Sequence, residues 1–424
     1  MRRLVNRSGF VLCAAVLLGG TSAAGAGQGA GAAAVRPAHA GPGTGAAPSE
    51  LAPASADSTG ELMAVAAVSR DDVWAVGCSG LCNGPDSLIL HWDGSRWAKV
   101  ASPDPGTGFD RLTGVTAVSA RDVWAVGYAC NASNCGDFRT LILHWNGAKW
   151  SAVTSPDPST ISNTLSGVSA VSADNVWAAG SYDPAPPTLQ STTLILHWNG
   201  TKWSKVAGPD LYVALAPTLY GISAHSATNA WAVGAVCTSP ACSDHGLSTD
   251  TLILRWNGTK WSKVASPSPG TLGSVLFGVS AVKADDAWAV GDLLETSKPN
   301  RALIEHWNGT KWSQVTAANP GSTSNQLQAV SAASPRDIWA AGYQTRADLP
   351  YTATLIDHQT GTNWSAVASP NRTTSTTGIN FLTGIAAISP TKAVAVGWVQ
   401  TFTNPGIAYH VLILTWNGKK WSMA

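Results

Sequence analysis

Charged side chains are scarce in this sequence. Asp, Glu, Lys and Arg make up only 12% of its 424 residues, whereas glycine (42) and proline (24) are plentiful, and this composition favours a turn-rich β protein over a helical one. No apolar run beyond the N-terminal region approaches the roughly 20 residues that a membrane helix needs, so we expect no membrane span in the mature chain. No cluster of Lys and Arg suggests nucleic acid as a partner.

Cysteine is also sparse, with seven residues, and Cys13 lies in an apolar N-terminal stretch. The other six form three close pairs: Cys78 with Cys82, Cys130 with Cys135, and Cys237 with Cys242. An even, paired set in an exported chain predicts three local disulfides. Metal binding is the alternative, but no histidine or fourth-ligand pattern accompanies the pairs, and we expect no metal or cofactor.

The N-terminus has the pattern of an export signal. A basic start is followed by the apolar stretch Phe10–Leu18 and then by small residues, as in a secretory signal peptide. We expect a signal peptide over residues 1–40, cleaved after Ala26 or Ala40, and a flexible Gly/Ala/Pro-rich linker over 41–60. The secreted chain then has 22 basic and 25 acidic residues, a net charge of about −3, and we expect an extracellular monomer.

One pattern recurs about every fifty residues. In its clearest copy, Leu141–Val153, two short apolar segments flank Asn146-Gly147. An Asn-Gly pair easily adopts the positive φ that both central residues of a type I′ hairpin turn require. The first copy has Asp93-Gly94 at this point, and the sixth departs from the pattern with Thr360-Gly361.

Seven copies follow one another, and each contains four short apolar segments bounded by turn residues, which we name A, B, C and D. Nineteen of the 20 tryptophans fall at three matching points, on segments B, C and D, although the seventh copy has Val394 at the B point. Burying one indole is worth at most about 5 kcal/mol, so such a set belongs between packed sheets. The sequence therefore predicts an all-β fold: a single seven-bladed β-propeller of four-stranded antiparallel blades over residues 61–424.

The Trp-x-Val-Gly strand followed by a turn such as Asn146-Gly-Ala-Lys-Trp150 resembles the Trp-rich propeller repeats of the photosystem II assembly factor family. It is similar, more distantly, to the Asp-box repeats of the sialidase superfamily. The resemblance spans residues 61–424 and implies a scaffold rather than an activity. The Arg-Ile-Pro start of sialidases is not matched, so their catalytic residues are not implied.

Strand direction separates the turns of such a propeller into two faces. The A–B and C–D turns, short and nearly constant, lie on one face, which we name the turn face. The B–C and D–A loops, long and variable, lie on the other, the loop face, and the cysteine pairs fall in its B–C loops. Insertions confined to one face of a repeat protein are typical of a binding surface, although the loops could simply be unconstrained.

Single residues are less informative. Tyr128, Tyr343 and Trp398 start B–C loops at equivalent points and are candidate ligand-binding residues, unless they only cap strand B. The histidines before the segment C tryptophans are replaced by Arg255 and Thr415 in two copies, which indicates a packing position rather than a metal site. We expect the aspartates that precede segment B, such as Asp72, to cap the A–B turns.

These observations favour a secreted, non-catalytic binding module whose loop face engages an extracellular carbohydrate or protein. One alternative is a secreted glycoside hydrolase or polysaccharide lyase with loop-face carboxylates, and another is a structural envelope or assembly protein. No residue is assigned a catalytic role. The side chains available to the enzyme alternative are Asp183, Asp244, His245, Asp250, Asp292 and Glu295.

Overall fold

The structure is a computed structural model. It describes residues 59–424 except for 85, 132–134, 136, 185–190, 212–215, 240–247, 362 and 404–405. The predicted signal peptide, 1–40, and nearly all of the predicted linker, 41–60, lie outside the described residues. The described part contains no helix that is long and apolar enough to cross a membrane.

The described residues form 28 strands, and every four consecutive strands pair into one antiparallel sheet, or blade. Blade 1 contains β1 (Gly60–Ser69), β2 (Asp72–Ser79), β3 (Ser87–Trp92) and β4 (Trp97–Lys99). Blade 2 contains β5 (Phe109–Ser119), β6 (Asp122–Cys130), β7 (Arg139–Trp145) and β8 (Trp150–Ala152). Blade 3 contains β9 (Ser162–Ser172), β10 (Asn175–Asp183), β11 (Thr192–Trp198) and β12 (Trp203–Lys205).

The other four blades repeat this order. Blade 4 contains β13 (Thr218–Ser226), β14 (Asn229–Cys237), β15 (Thr249–Trp256) and β16 (Trp261–Val264). Blade 5 contains β17 (Gly273–Lys283), β18 (Asp286–Leu294), β19 (Arg301–Trp307) and β20 (Trp312–Val315). Blade 6 contains β21 (Ser324–Ser334), β22 (Asp337–Thr345), β23 (Ala353–Thr360) and β24 (Asn363–Ala366), and blade 7 contains β25 (Ile379–Ser389), β26 (Lys392–Thr403), β27 (Gly406–Trp416) and β28 (Trp421–Met423). The predicted seven-bladed all-β propeller is confirmed.

Two glycines show why the repeat keeps its turn and strand residues. Gly147 has φ = 90° in the C–D turn of blade 2, a conformation that other residues rarely adopt. Gly127 lies within strand B, next to the point where the β5–β6 register shifts, and a Cβ there would lie 1.9 Å from the Arg111 carbonyl oxygen. Both glycines are therefore fixed by backbone geometry.

The core lies between the blades. Trp124 of β6, only 1% exposed, packs against Trp198 and Trp203 of blade 3, with ring centroids 5.0 and 5.5 Å away, and stacks on His144 of its own blade at 4.1 Å. A cluster of buried residues of this kind fills each of the seven boundaries between neighbouring blades. The indoles thus hold successive sheets together, as the repeat predicted.

The ring is closed by blades 1 and 7. Strand β1 contacts β25, and the Thr383 hydroxyl donates to the Leu62 carbonyl across this boundary at 2.7 Å. Val394 stands in the boundary cluster where the other blades have tryptophan. Strand β28, the last of blade 7, pairs with β27.

Candidate functional site

The antiparallel order of the strands gives the molecule the predicted two faces. Every A–B turn has two residues, and six of the seven C–D turns have four. The B–C and D–A loops on the opposite face vary in length from blade to blade. The loop face is therefore the part of the surface where the seven repeats differ.

Buried polar side chains anchor the D–A loops where they enter strand A. Asn163 accepts a hydrogen bond from the Ser159 amide at 2.9 Å and donates to the carbonyls of Ser159 and Phe138 at 2.7 and 3.2 Å. Phe138 belongs to the preceding blade, so this one side chain joins a D–A loop to a neighbouring B–C loop. Equivalent side chains accept from the D–A loop in four other blades, and the last two also donate to the preceding B–C loop: Asp110, Ser274, Asn325 and Asn380.

In several blades the other end of the D–A loop is tied to strand C. In blade 2 the Thr140 amide donates to Asp157 at 2.8 Å, and the Thr140 hydroxyl contacts the Ser155 hydroxyl at 2.7 Å. A Ser or Thr of strand C is hydrogen-bonded in the same way to two polar residues of the D–A loop in blades 1, 4 and 6. Because hydrogen bonds fix both of its ends, a loop of this kind presents a preorganised surface, which lowers the entropic cost of binding.

The cysteine prediction is confirmed for two pairs. Disulfides join Cys78 to Cys82 and Cys130 to Cys135, each within one B–C loop. The Glu61 carboxylate lies within 4.8 Å of both sulfurs of the first pair, but sulfurs that are bonded to each other supply no thiolate for a metal.

The prediction for the third cysteine pair is not confirmed. Cys242 lies outside the described residues, and neither of the two disulfides above contains it. Cys237, its predicted partner, ends strand β14 and is disulfide-bonded. The bond between Cys237 and Cys242 therefore stays a prediction, which mass spectrometry of a non-reduced proteolytic digest checks.

An ion pair lies at the start of strands A in blades 1 and 2. The Arg111 guanidinium donates to the Glu61 carboxylate and lies 3.2 Å from the Met63 sulfur. Burial raises the pKa of Glu61 and outweighs the attraction of Arg111. Since both side chains are largely buried, this pair joins two blades and is not a free charge for a ligand.

Four aromatic rings form a continuous row from blade 6 to blade 7, which we name the aromatic row: Tyr343, Phe381, Trp398 and Tyr409. Phe381 stacks on Tyr343 with ring centroids 4.4 Å apart and on Trp398 at 5.0 Å. Trp398 meets the edge of Tyr409 at 5.7 Å. Tyr343 and Phe381 are buried, whereas Trp398 and Tyr409 remain partly exposed.

The three candidate aromatic residues thus lie in different surroundings. Tyr128 is buried between Phe109 and Phe138, with centroids 5.7 and 5.1 Å away, and burial strongly raises the pKa of its hydroxyl. The Tyr343 hydroxyl donates to Gln326. Trp398 has an accessible surface, and it joins Tyr343, but not Tyr128, in the aromatic row.

Blade 7 carries an extension of the loop face. Trp398 is predicted to start a B–C loop, but β26 extends to Thr403 and β27 begins at Gly406, and the two stay paired with Phe402 opposite Ile407. These two side chains are 52% and 45% exposed. The longer strands were not predictable from the repeat, because the other six blades have shorter B and C strands at this point.

The candidate carboxylates of the enzyme alternative lie in different environments. Asp183 accepts a hydrogen bond from Ser191, and Glu295 pairs with Lys298 at 2.9 Å. Asp292 is buried, and its burial raises its pKa to about 7. Asp250 is exposed, and Asp244 and His245 lie outside the described residues.

The histidines of strand C have the predicted packing role, whereas the expected capping role of Asp72 and its equivalents is wrong. His91 Nε2 is hydrogen-bonded to Asp72 at 2.8 Å, and its ring stacks on Trp74 at 4.1 Å. Ser69, not Asp72, caps the turn by accepting a hydrogen bond from the Asp71 amide. The other pairs are His144 with Asp122, His306 with Asp286 and His358 with Asp337.

No protein-family model matches the chain, and no curated protein sequence matches it. Among solved structures, an ulvan lyase bound to -[GlcA(1-4)Rha3S]- is 11% identical, with 87% of this chain and 96% of that chain covered and a TM-score of 0.54. YCF48 bound to D1 peptide is 12% identical, with 83% and 92% covered and a TM-score of 0.49. A third structure, Aleuria aurantia lectin in complex with Fucalpha1-6GlcNAc, is 11% identical, with 85% and 94% covered and a TM-score of 0.40.

At these identities the likeness shows the fold alone. The lyase, with the highest TM-score of the three, supports the β-propeller architecture, and the fold-level resemblance predicted from the repeat is confirmed. Residue roles are not transferable across such distances, because one propeller scaffold carries unrelated functions.

Proposed function

We propose that this protein is a secreted, non-catalytic binding module whose loop face engages an extracellular carbohydrate or protein. The observation that carries the proposal is the confinement of nearly all length variation to one face, where hydrogen bonds at both ends of D–A loops such as that between blades 2 and 3 hold them in place. A rigid face that differs from blade to blade offers a ligand one specific orientation.

Within that face, the favoured contact region is the exposed part of the aromatic row together with the blade 7 hairpin. Trp398 and Tyr409 offer ring surface, and Phe402 and Ile407 offer apolar side chains beside it. Aromatic and apolar anchors of this kind supply most of the binding energy at interfaces. In this proposal Tyr343 supports Trp398 from below through Phe381, and Tyr128 stiffens blade 2.

The enzyme alternative is less well supported by the contacts of its candidate residues. A glycoside hydrolase needs two carboxylates facing one substrate, whereas Asp183 accepts a hydrogen bond from Ser191 and Glu295 pairs with Lys298.

A glycan array and a pull-down from the surrounding medium test the proposal on matched variants. Trp398→Ala, and a second variant in which Thr401–Ala408 is replaced by a two-residue Asn-Gly turn, should each weaken binding by about tenfold or more. Thr259→Ala on the turn face is the control and should bind as the natural chain does. Retention of full binding by both loop-face variants would overturn the proposal.

A further inference from the structure

The two faces of the disc carry opposite charge. The A–B and C–D turns together contain ten basic and four acidic residues, whereas the described parts of the B–C and D–A loops contain three basic and seven acidic ones. The small net charge of the whole chain hides this separation, because strand direction alone decides on which face each charge lies.

Most of the positive charge of the turn face comes from one position of the repeat, the last residue of the C–D turn, just before the tryptophan of strand D. The residue there is exposed in each of six blades. These six residues are Arg96, Lys149, Lys202, Lys260, Lys311 and Lys420, which we name the basic ring.

The basic ring is held in a fixed position but not neutralised. In each of these turns a backbone bond fixes the basic residue: the Asn146 amide donates to the Lys149 carbonyl, and the Asn146 side chain accepts from the Lys149 amide at 3.0 Å. Among the described residues, the five lysines of the ring have no carboxylate within 4.0 Å; only Arg96 has one, Asp93 at 3.9 Å. Asp72 and its equivalents are strand residues, and their carboxylates are occupied by histidines.

Equal turn lengths place these cations at equivalent heights around the disc. A linear polyanion could touch only the cations along its path, whereas a flat anionic surface meets all of them at once. We propose that the turn face docks on an anionic phospholipid bilayer, which leaves the acidic loop face, with its aromatic row, directed away from the membrane. Each Lys or Arg near such a surface contributes about 1 kcal/mol, or roughly fivefold in partitioning.

Sedimentation of the full chain with vesicles of phosphatidylglycerol and phosphatidylcholine in equal amounts tests the docking. The triple variant Lys149→Gln, Lys202→Gln and Lys311→Gln should partition about 100-fold more weakly. The control Lys99→Gln, Lys263→Gln and Lys298→Gln has the same net charge but leaves the basic ring intact, since Lys99 and Lys263 lie in D strands and Lys298 in a loop-face loop, and it should keep most of the binding. High salt should release the natural chain, because these exposed charges are screened.

Three results would overturn the docking proposal. They are equal losses in the two triple variants, absence of binding to anionic vesicles at low salt, and retention by soluble polyphosphate without any vesicle binding. Thermal melting of both variants shows whether each is folded, so a loss through unfolding is recognised. None of these measurements uses a loop-face ligand, so they are independent of the function proposed above.

Discussion

Two buried carboxylates depart from the repeat at the same point. The third residue of the strand C segment Leu-Ile-Leu-His-Trp is leucine in five blades. In blades 5 and 6 it is Glu305 and Asp357, and both are fully buried. Asp357 accepts a hydrogen bond from the Ala318 amide at 3.2 Å. The equivalent residue facing Glu305 is Pro267, which has no amide hydrogen, and both Glu305 oxygens lack a hydrogen-bond partner among the described residues.

The burial of Glu305 without a partner predicts that the free energy of unfolding depends on pH. Burial raises its pKa to about 8 from an ordinary value near 4.5, so the folded protein holds a proton that the unfolded chain releases. The contribution of this proton to stability is complete below about pH 4.5 and is lost as the pH rises through 8. Glu305→Leu removes this dependence. The variant should be more stable than the natural chain, and the difference in their free energies of unfolding should be about 4 kcal/mol larger at pH 8 than at pH 4.5.

Denaturant unfolding at a series of pH values measures this effect. Asp250→Asn, at an exposed acid in blade 4, is the control and should follow the natural chain throughout. Parallel pH profiles for Glu305→Leu and the natural chain would show that Glu305 is not held in a site of low polarity.

At the scale of the elements, most of the fold was predictable because its turns have strict chemical requirements. The glycine of each Asn-Gly pair has the predicted positive φ, but Asn146 and its equivalents do not, so the prediction of type I′ turns is wrong. The glycine shared by all seven B strands leaves no room for a Cβ against strand A. Asn163 and its equivalents could also have been recognised, since a polar residue stands two positions before the strand A leucine in five blades. Alignment of the copies would likewise have shown Glu305 and Asp357.

The candidate site was less predictable, for a physical reason. Tyr343 and Trp398 were chosen by their equivalent places in the repeat, but the ring that joins them, Phe381, stands at a position that other blades fill with residues as different as Glu61 and Arg111. Contacts between neighbouring blades depend on the stagger of the sheets, which no single copy of the repeat encodes. The paired strands of the blade 7 hairpin depend in the same way on contacts beyond the local sequence.

At the scale of the whole molecule, the disc closes through the same contact that joins ordinary blades. Thr113 donates to the Leu165 carbonyl between blades 2 and 3 at 2.7 Å, and Thr383 repeats this contact between blades 7 and 1. Thr383→Val and Thr113→Val should therefore lower the free energy of unfolding by similar amounts, about 1 kcal/mol each. Chemical denaturation of the two variants gives the comparison, and a loss at Thr113 alone would mean that blades 7 and 1 are not joined in solution.

The proposed binding face is the loop face. Hydrogen–deuterium exchange of the full chain, with and without a glycan or protein partner identified by the screen, measures which face a partner covers. A partner bound to the loop face should slow exchange in the B–C and D–A loops and in 398–411 of blade 7, while the A–B and C–D turns are unchanged. Slower exchange confined to those turns, with the loops unaffected, would contradict it.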